Sequence, residues 1–332
     1  MSVRVGVIGT GIMGADHARI LHHDVPGATV TVLADMDTAR AKQVADGIPG
    51  SMVTERAHEV IASPDVDAVL IASGDATHAE YVLACLDVRK PVLCEKPLAP
   101  TARECRQIVE AEKSVVGDGT PLVSLGFMRR FDPGYVELKA LIAAGDLGAP
   151  LMIHSVGRGV AAPAGTNELT VTGSAIHDID IAPWLIDSPI VETSWLAPKQ
   201  SPEVSDRQDP QFILLRSAGG TLITVDVFLH AKYGYDIRCE VVGSLGTASL
   251  TEPHTVVRDS GLNHSYAYAA DWRPRFAEAY RQQNQEWIRS LVDGTDNSLA
   301  KATDGLQAAL VAEAVIASMN AGGGFVQVPA AS

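Results

Sequence analysis

The chain has 332 residues, which predicts about two domains. Its composition, 46% hydrophobic and 20% charged, supplies a sizeable core and excludes wholesale disorder. With 26 Lys and Arg against 40 Asp and Glu, the net charge is −14, so the surface repels phosphate backbones and anionic membranes and nucleic acid is excluded as the default partner.

The first 125 residues alternate two periodicities. Val3 to Ile8, Val30 to Ala34, Ala68 to Ala72, Pro91 to Cys94 and Leu122 to Leu125 are short apolar runs of the kind buried on both faces of a parallel sheet. Helical spacing separates them over Ile12 to His23, Thr38 to Gly47, 76–86 and 101–113. Right-handed crossovers turn such an alternation into a doubly wound α/β domain. Beyond residue 125 the pattern changes. Pro133 to Ala144 reads as a helix, with Asp132 as N-cap and Pro133 in the first helical position. Strand signals then follow at 150–156, 190–197, 211–217, 221–229, 236–243 and 246–250, with Ala218-Gly219-Gly220 suited to a hairpin. A helix is expected over 176–186, a polar loop over 198–210, and late helices over Arg275 to Val292 and Thr303 to Met319. The fold class is therefore an α/β Rossmann, doubly wound parallel sheet over residues 1–125. An α+β domain with an open, mostly antiparallel sheet follows over 126–332.

Cys85, Cys94, Cys105 and Cys239 form no CxxC pair and have no His at ligand spacing, so neither a metal site nor a disulfide framework is expected. The opening MSVRVGVIG reads as a strand and not a signal peptide, and no apolar run approaches the roughly 20 residues that span a bilayer. A cytoplasmic protein with no membrane partner is expected.

Gly9-Thr10-Gly11-Ile12-Met13-Gly14 fits G-x-G-x-x-G after a strand and at the head of a helix. Gly9 permits the tight turn, Gly11 lets backbone approach a pyrophosphate at the helix N-terminus formed with Ile12 and Met13, and Gly14 allows close helix–strand packing. Asp35 ends the second strand, where a carboxylate accepts hydrogen bonds from the adenosine ribose and repels a 2′-phosphate. NAD is thus expected rather than NADP. Arg40 could assist NADP, but it lies inside the next helix and is expected to face solvent. Ser73 and Thr77-His78, after the AVLIAS strand, are expected to edge the nicotinamide site, with a helix-capping role the simpler account of Thr77.

Cys94-Glu95-Lys96-Pro97-Leu98 follows a strand at its carboxyl end, the edge where open α/β sheets place ligands. The GTGIMG loop, Asp35, EKPL and the later IHDID segment together resemble the glucose–fructose oxidoreductase/inositol dehydrogenase family over nearly the whole chain. The runs GFMRRFDPGYVELK (126–139), AKYGYDIRCEVVG (231–243) and RFAEAY (275–280) resemble its myo-inositol 2-dehydrogenase branch. The resemblance implies NAD-dependent oxidation of a secondary alcohol of a cyclic polyol or related sugar. Lys96 would contact the reacting oxygen and His177 act as acid/base. It also implies a cis peptide before Pro97, Glu95 beside the cofactor, and dimers or tetramers formed through the second-domain sheet. The physical reading agrees, since a neutral imidazole accepts a proton near neutral pH and an ammonium stabilises an alkoxide. Asp180, three residues after His177, is expected to bind Lys96 or a substrate hydroxyl, or to serve as a helix N-terminal carboxylate.

The sequence departs from the family pattern at three positions. Gly173 stands where an Asp precedes the catalytic His by four residues, and Gly157 and Gly159 flank Arg158 where polar residues reach the ring hydroxyls. A wider, less polar pocket follows, suited to a larger or substituted polyol, unless loop realignment brings in His154, Asn167 or Glu168. Of Arg129 and Arg130, one is expected in the pocket and the other in a salt bridge. Tyr235, on one strand face with Tyr233, is expected to donate to a sugar. Tyr280 and Gln283 share a helix face, and Trp184, Trp195 and Trp287 are expected to pack. A nucleotide-sugar or aminosugar oxidoreductase and a non-catalytic NAD sensor are the competing readings.

Overall fold

The short apolar runs of the first part of the chain form one sheet because each is too apolar to leave either face wet. In this computed structural model, which describes residues 2–251 and 256–331, they appear in strict alternation with helices. The order is β1 (Val3–Ile8), α1 (Ile12–His23), β2 (Ala28–Ala34), α2 (Thr38–Ala45), β3 (Met52–Thr54), α3 (Ala57–Ala62), β4 (Ala68–Ile71), α4 (His78–Asp87), β5 (Val92–Cys94), α5 (Ala102–Val116) and β6 (Val123–Leu125). The strands pair in parallel in the order β6-β5-β4-β1-β2-β3. Every residue of β4 is buried, as expected of a central strand covered on both sides.

The second half begins with α6 (Pro133–Ala144) and β7 (Pro150–Arg158), followed by α7 (Asn167–Thr170) and α8 (Ile176–Ile186). A strand series follows: β8 (Ile190–Leu196), β9 (Gln211–Ser217), β10 (Leu222–Phe228), β11 (Asp236–Gly243), β12 (Thr247–Ser249), β13 (Arg258–Ser260) and β14 (Asn263–Ser265). The chain ends with α9 (Trp272–Asp293), β15 (Ala300–Lys301), α10 (Ala302–Asn320) and β16 (Val326–Gln327). The second sheet runs β12-β11-β7-β10-β9-β8-β16 and is antiparallel except where β10 lies parallel to β7. Along β9 and β10 buried residues alternate with half-buried or exposed ones, so one face is core and the other is open. The β9–β10 hairpin turns at Gly220, whose φ of +88° only glycine adopts without strain.

Two compact units result: Met1–Met128 with Glu278–Ala309, and Arg129–Ala277 with Leu310–Ser332. The expected break at 125/126 does not include this return of the chain. The reason is physical: β15 pairs antiparallel with β6 (Ala300 with Leu125) and completes a seventh strand of the first sheet. Trp287 and Ile288 are fully buried, and Gly305 brings α10 so close to Leu98 and Leu125 that a Cβ there would clash. Among the early elements, β3 and α3 were not read from the sequence, because MVT and AHEVIA are too short to establish a period.

Asp132 precedes α6 as expected but makes no capping bond. Its carboxylate instead pairs with Arg275 at 2.7 Å. A buried carboxylate does hold the first unit's last parallel strand. Glu112 Oε1, near the end of α5, accepts the N–H groups of Leu122 and Val123 at 2.8 and 2.7 Å, and burial raises its pKa despite those bonds. Glu112→Ala leaves two backbone donors without this acceptor and is expected to lower the unfolding free energy by about 2 kcal/mol. Glu112→Gln keeps the acceptor oxygen and recovers most of the loss in urea denaturation.

Candidate functional site

In the first unit, the loop between β1 and α1 has the geometry its glycines imply. Gly9 has φ +88°, and a Cβ there would lie 2.5 Å from Ala72 O and Ser73 N. A Cβ on Gly14 would lie 1.8 Å from Gly9 O, which is why α1 starts so close to β1. A Cβ on Gly11 would meet nothing, and Gly11, the N-cap of α1, makes no side-chain cap. The first N–H groups of α1, those of Ile12 and Met13 among them, thus sit behind an open backbone surface suited to a pyrophosphate.

Asp35, at the end of β2, is buried and closes this loop from the other side. Its Oδ2 accepts from Thr10 N (2.7 Å) and Thr10 Oγ1 (2.8 Å), and its Oδ1 from Asp37 N (2.9 Å). Burial opposes its charge, but hydrogen bonds from Arg40, Thr10 and Asp37 overcome that and hold its pKa down to about 2. Arg40 is exposed, as the sequence suggested, and is also paired. Its guanidinium folds back from α2 onto Asp35, with Nη2 2.7 Å from Oδ1 and Nε 3.2 Å from Oδ2. The N-cap bond from Arg40 N to Asp37 Oδ1 (3.1 Å) sets where α2 begins and so aims that side chain.

Lys96 follows β5 and is joined to Pro97 by a cis peptide, as the resemblance implied. The residues around it are held from the inside. Glu95 is buried and does not turn toward a ligand. Its Oε1 bonds His17 Nε2 at 2.8 Å and its Oε2 accepts the Lys96 N–H at 3.2 Å. Asn284 Nδ2 donates to His17 Nδ1 at 3.0 Å, so Nε2 carries the proton and donates to Glu95. Tyr280 meets His17 edge-on at 5.5 Å. Burial disfavours the Glu95 charge, yet His17 and Lys96 hold its pKa below the usual carboxylate range. His78 is also buried, its ring bonded to Pro97 O (2.7 Å) and Ser73 O (3.1 Å). It braces the Lys96-Pro97 turn against the end of β4. Ser73 Oγ bonds Thr77 Oγ1 at 2.7 Å, and Thr77 Oγ1 donates to Gly74 O instead of capping α4.

In the second unit, a π-helical turn over Val171–Ala175 precedes α8 and ends two residues before His177, which is half-buried. Such turns displace side chains from the regular helical register and recur at functional sites. Both arginines after β6 are in ion pairs. Arg129 Nη1 lies 2.7 Å from Asp178, with Tyr135 and Phe276 against its guanidinium, and Arg130 is paired twice with Asp180, at 2.5 and 3.1 Å. Arg129 thus makes a buried ion pair. Desolvation works against its charge and Asp178 more than compensates, raising its pKa.

The three glycines differ. A Cβ on Gly173 would meet nothing, and on Gly157 only ordinary contacts with Asp178 and Ile237. On Gly159 it would lie 3.0 Å from Leu229 O, so that glycine serves the backbone, which bonds Phe228 and Ala231. Tyr233 and Tyr235 sit in the loop before β11 and not on a strand. Tyr233 is exposed and donates to Asp236; Tyr235 is half-buried, edge-on to Phe276, with burial pushing its phenol up to about 12. Tyr280 and Gln283 are buried in the first unit. His154 bonds Thr224, and Asn167 Oδ1 accepts from Gln208 N. Trp195 and Trp287 are buried; Trp184 is half-buried, with the Lys139 ammonium 4.7 Å from its ring centroid. All four cysteines are buried, and none is in a disulfide. Burial pushes the Cys85 and Cys239 thiols up to about 12, so neither is a nucleophile. Among the described residues no group of His, Cys, Asp and Glu could hold a metal ion, and no helix is long and apolar enough to cross a membrane.

A doubly wound sheet with a glycine loop at its first turn and a carboxylate closing the second strand defines a dinucleotide-dependent dehydrogenase. Known proteins agree. The family model described as "Oxidoreductase family, NAD-binding Rossmann fold" matches residues 3–116, and "Oxidoreductase family, C-terminal alpha/beta domain" matches residues 139–328. The chain belongs to this glucose–fructose oxidoreductase/inositol dehydrogenase family, and it is an NAD-dependent dehydrogenase. It is 50% identical over 326 residues to inositol 2-dehydrogenase 2 of Paenarthrobacter aurescens, covering 97% of this chain and 98% of that one. It is 40% identical to the inositol 2-dehydrogenase of Agrobacterium fabrum, over 99% and 97% of the two chains. Among solved structures, myo-inositol dehydrogenase from Lactobacillus casei in complex with NAD(H) and myo-inositol superposes with a TM-score of 0.95. That match has 33% identity and covers 100% of this chain and 98% of the other.

The Glu95 network supplies a pH-dependent test. Because its folded-state pKa lies below the ordinary 4.5, the Glu95 charge contributes stability above that pH and the contribution is lost as pH falls through the folded value. Glu95→Gln is expected to cost about 2 kcal/mol at neutral pH. In urea unfolding the gap to wild type should narrow steadily below about pH 4.5.

Proposed function

We propose that the chain oxidises a secondary hydroxyl of an inositol or substituted inositol to the ketone, or runs the reverse reduction. The single observation that carries this reading is the near-full-length identity to inositol 2-dehydrogenases, combined with Lys96 and His177 at the positions the motif requires. Gly9, Gly11, Ile12, Met13, Gly14 and Asp35 hold NAD, with Ser73 beside it. The open Gly11 backbone and the Asp35 carboxylate fit that group. Bound NAD supplies the hydride acceptor. His177 takes the hydroxyl proton in oxidation and returns it in reduction, the general acid–base role that imidazoles fill. The Lys96 ammonium stabilises the negative charge that develops on the same oxygen. Glu95, His17 and His78 fix the backbone that carries Lys96, and the Arg129–Asp178 and Arg130–Asp180 pairs fix the start of α8 that carries His177. Asp180 and Tyr235 bind ring hydroxyls.

Gly173 gives the substrate side its character. No atom lies within reach of a Cβ there, and Gly157 also has room, so the pocket takes a ring bearing an extra substituent. His177→Gln and Lys96→Ala are each expected to lower kcat by about 10²- to 10⁴-fold while leaving NAD affinity nearly unchanged. NADH absorbance across a panel of myo-inositol and methyl- or amino-inositols should show kcat/KM at least as high for the substituted rings. A strict preference for unsubstituted myo-inositol would remove the wider-pocket part of the reading. Binding of NAD without turnover of any polyol would favour a sensor.

The same reading extends to assembly and location. The open face of the second sheet carries Phe212, Leu214, Val156 and Met152 among polar residues, a surface suited to pairing with a second copy as a homodimer or homotetramer. Leu214→Glu is expected to lower the mass measured by light scattering after gel filtration. Four buried cysteines outside any disulfide suit a reducing compartment, the cytoplasm.

A further inference from the structure

Asp35 is the residue that reads the adenosine ribose in this fold, and its carboxylate is already saturated. Two oxygens accept five hydrogen bonds, from Thr10 N, Thr10 Oγ1, Asp37 N, Arg40 Nε and Arg40 Nη2. A carboxylate offers about four lone-pair sites, so a ribose diol finds no acceptor here unless a donor leaves. Three of the five donors belong to the backbone or to the buried Thr10. The other two belong to one side chain, Arg40, which is 48% exposed. A pair this exposed is weakly held and readily exchanged. The Arg40 Cα cannot follow its side chain, because its N–H is fixed to Asp37 in the first turn of α2. A displaced guanidinium therefore stays tethered beside the ribose position.

We propose that Arg40 is a cofactor-selectivity residue, which neutralises Asp35 in the free protein and, when displaced, receives a 2′-phosphate, so that the chain binds NADP as well as NAD. The chemistry follows from the pairing. A lone carboxylate at the end of β2 repels a 2′-phosphate, whereas a carboxylate already matched by a bidentate guanidinium does not. A phosphate is in turn a better bidentate partner for that guanidinium than a carboxylate shared with three other donors. Asp37 is the remaining negative charge at this corner. It faces the α2 N-terminus and keeps the balance on the side of NAD without excluding NADP. Arg40 thus acts on the two affinities in opposite directions: it competes with the ribose of NAD for Asp35 and assists the 2′-phosphate of NADP.

This rests on the assignment of the first unit as the NAD site and is tested without turnover. Calorimetric titration of the wild type, Arg40→Ala and Arg40→Lys with ADP-ribose and with 2′-phospho-ADP-ribose yields two dissociation constants for each protein. In Arg40→Ala the ratio of the 2′-phospho constant to the ADP-ribose constant is expected to rise about tenfold or more, with ADP-ribose binding unchanged or tighter. Arg40→Lys, which keeps the charge and loses the fork, should fall between. Circular dichroism melts identify any variant that fails to fold. A ratio altered less than about threefold in a folded Arg40→Ala overturns the proposal. Failure of both nucleotides to bind the wild type overturns the cofactor assignment itself, and the proposal with it.

Discussion

A single ionised carboxylate in a dry interior organises the reactive end of the first unit. Glu95 sits at the carboxyl end of β5 with its charge buried, and a buried charge is tolerated only when enough donors converge on it. His17 from α1 and the Lys96 backbone N–H are those donors, and Asn284 from α9 holds His17 in the required tautomer. Three segments that are distant in sequence are thereby tied to the peptide that precedes Lys96. Lys96 is presented by a loop whose conformation is set by these buried donors. His78 repeats the arrangement one turn further on, holding Pro97 O and Ser73 O.

The second unit solves the equivalent problem for an imidazole. Two successive arginines after β6 are matched to two carboxylates near the start of α8, Asp178 and Asp180, and His177 stands immediately before the first of them. Guanidinium–carboxylate pairs with little exposure orient a helix more firmly than packing alone, because each must keep its geometry to offset desolvation. The π-helical turn ahead of α8 then sets the rotation at which His177 emerges.

Much of this was legible in the sequence, and the division between what was and what was not has a physical basis. Strand and helix positions rest on periodicity, so Ile12 to His23, Pro133 to Ala144 and 211–217 coincide with their elements. The glycine loop was legible because each glycine answers a local steric demand that no other residue meets. Side-chain direction was not. Arg40 is in solvent as expected, but its pairing with Asp35 was not legible, since nothing in the string TARAKQVA shows where the N-cap will fall, and the cap at Asp37 is what sets the guanidinium beside Asp35. Glu95 and His78 were read as cofactor contacts because their neighbours along the chain are functional, but their partners, His17 and Pro97, come from tertiary structure. Gly159 was grouped with Gly157 and Gly173 by proximity in sequence, and only the carbonyl of Leu229 distinguishes it. Tyr233 and Tyr235 were placed on a strand that begins one residue later.

The return of the chain to its first unit has a consequence for biosynthesis. Ribosomes deliver the amino terminus first, and most nucleotide-binding halves are complete once their own segment has emerged. Here β6 remains an unpaired edge, His17 lacks Asn284 and the seat filled by Trp287 stays empty until residues 278–309 have been made. The nascent amino-terminal half must therefore wait, incompletely folded, while the entire second unit up to α9 is translated, and it exposes an apolar sheet edge for that interval.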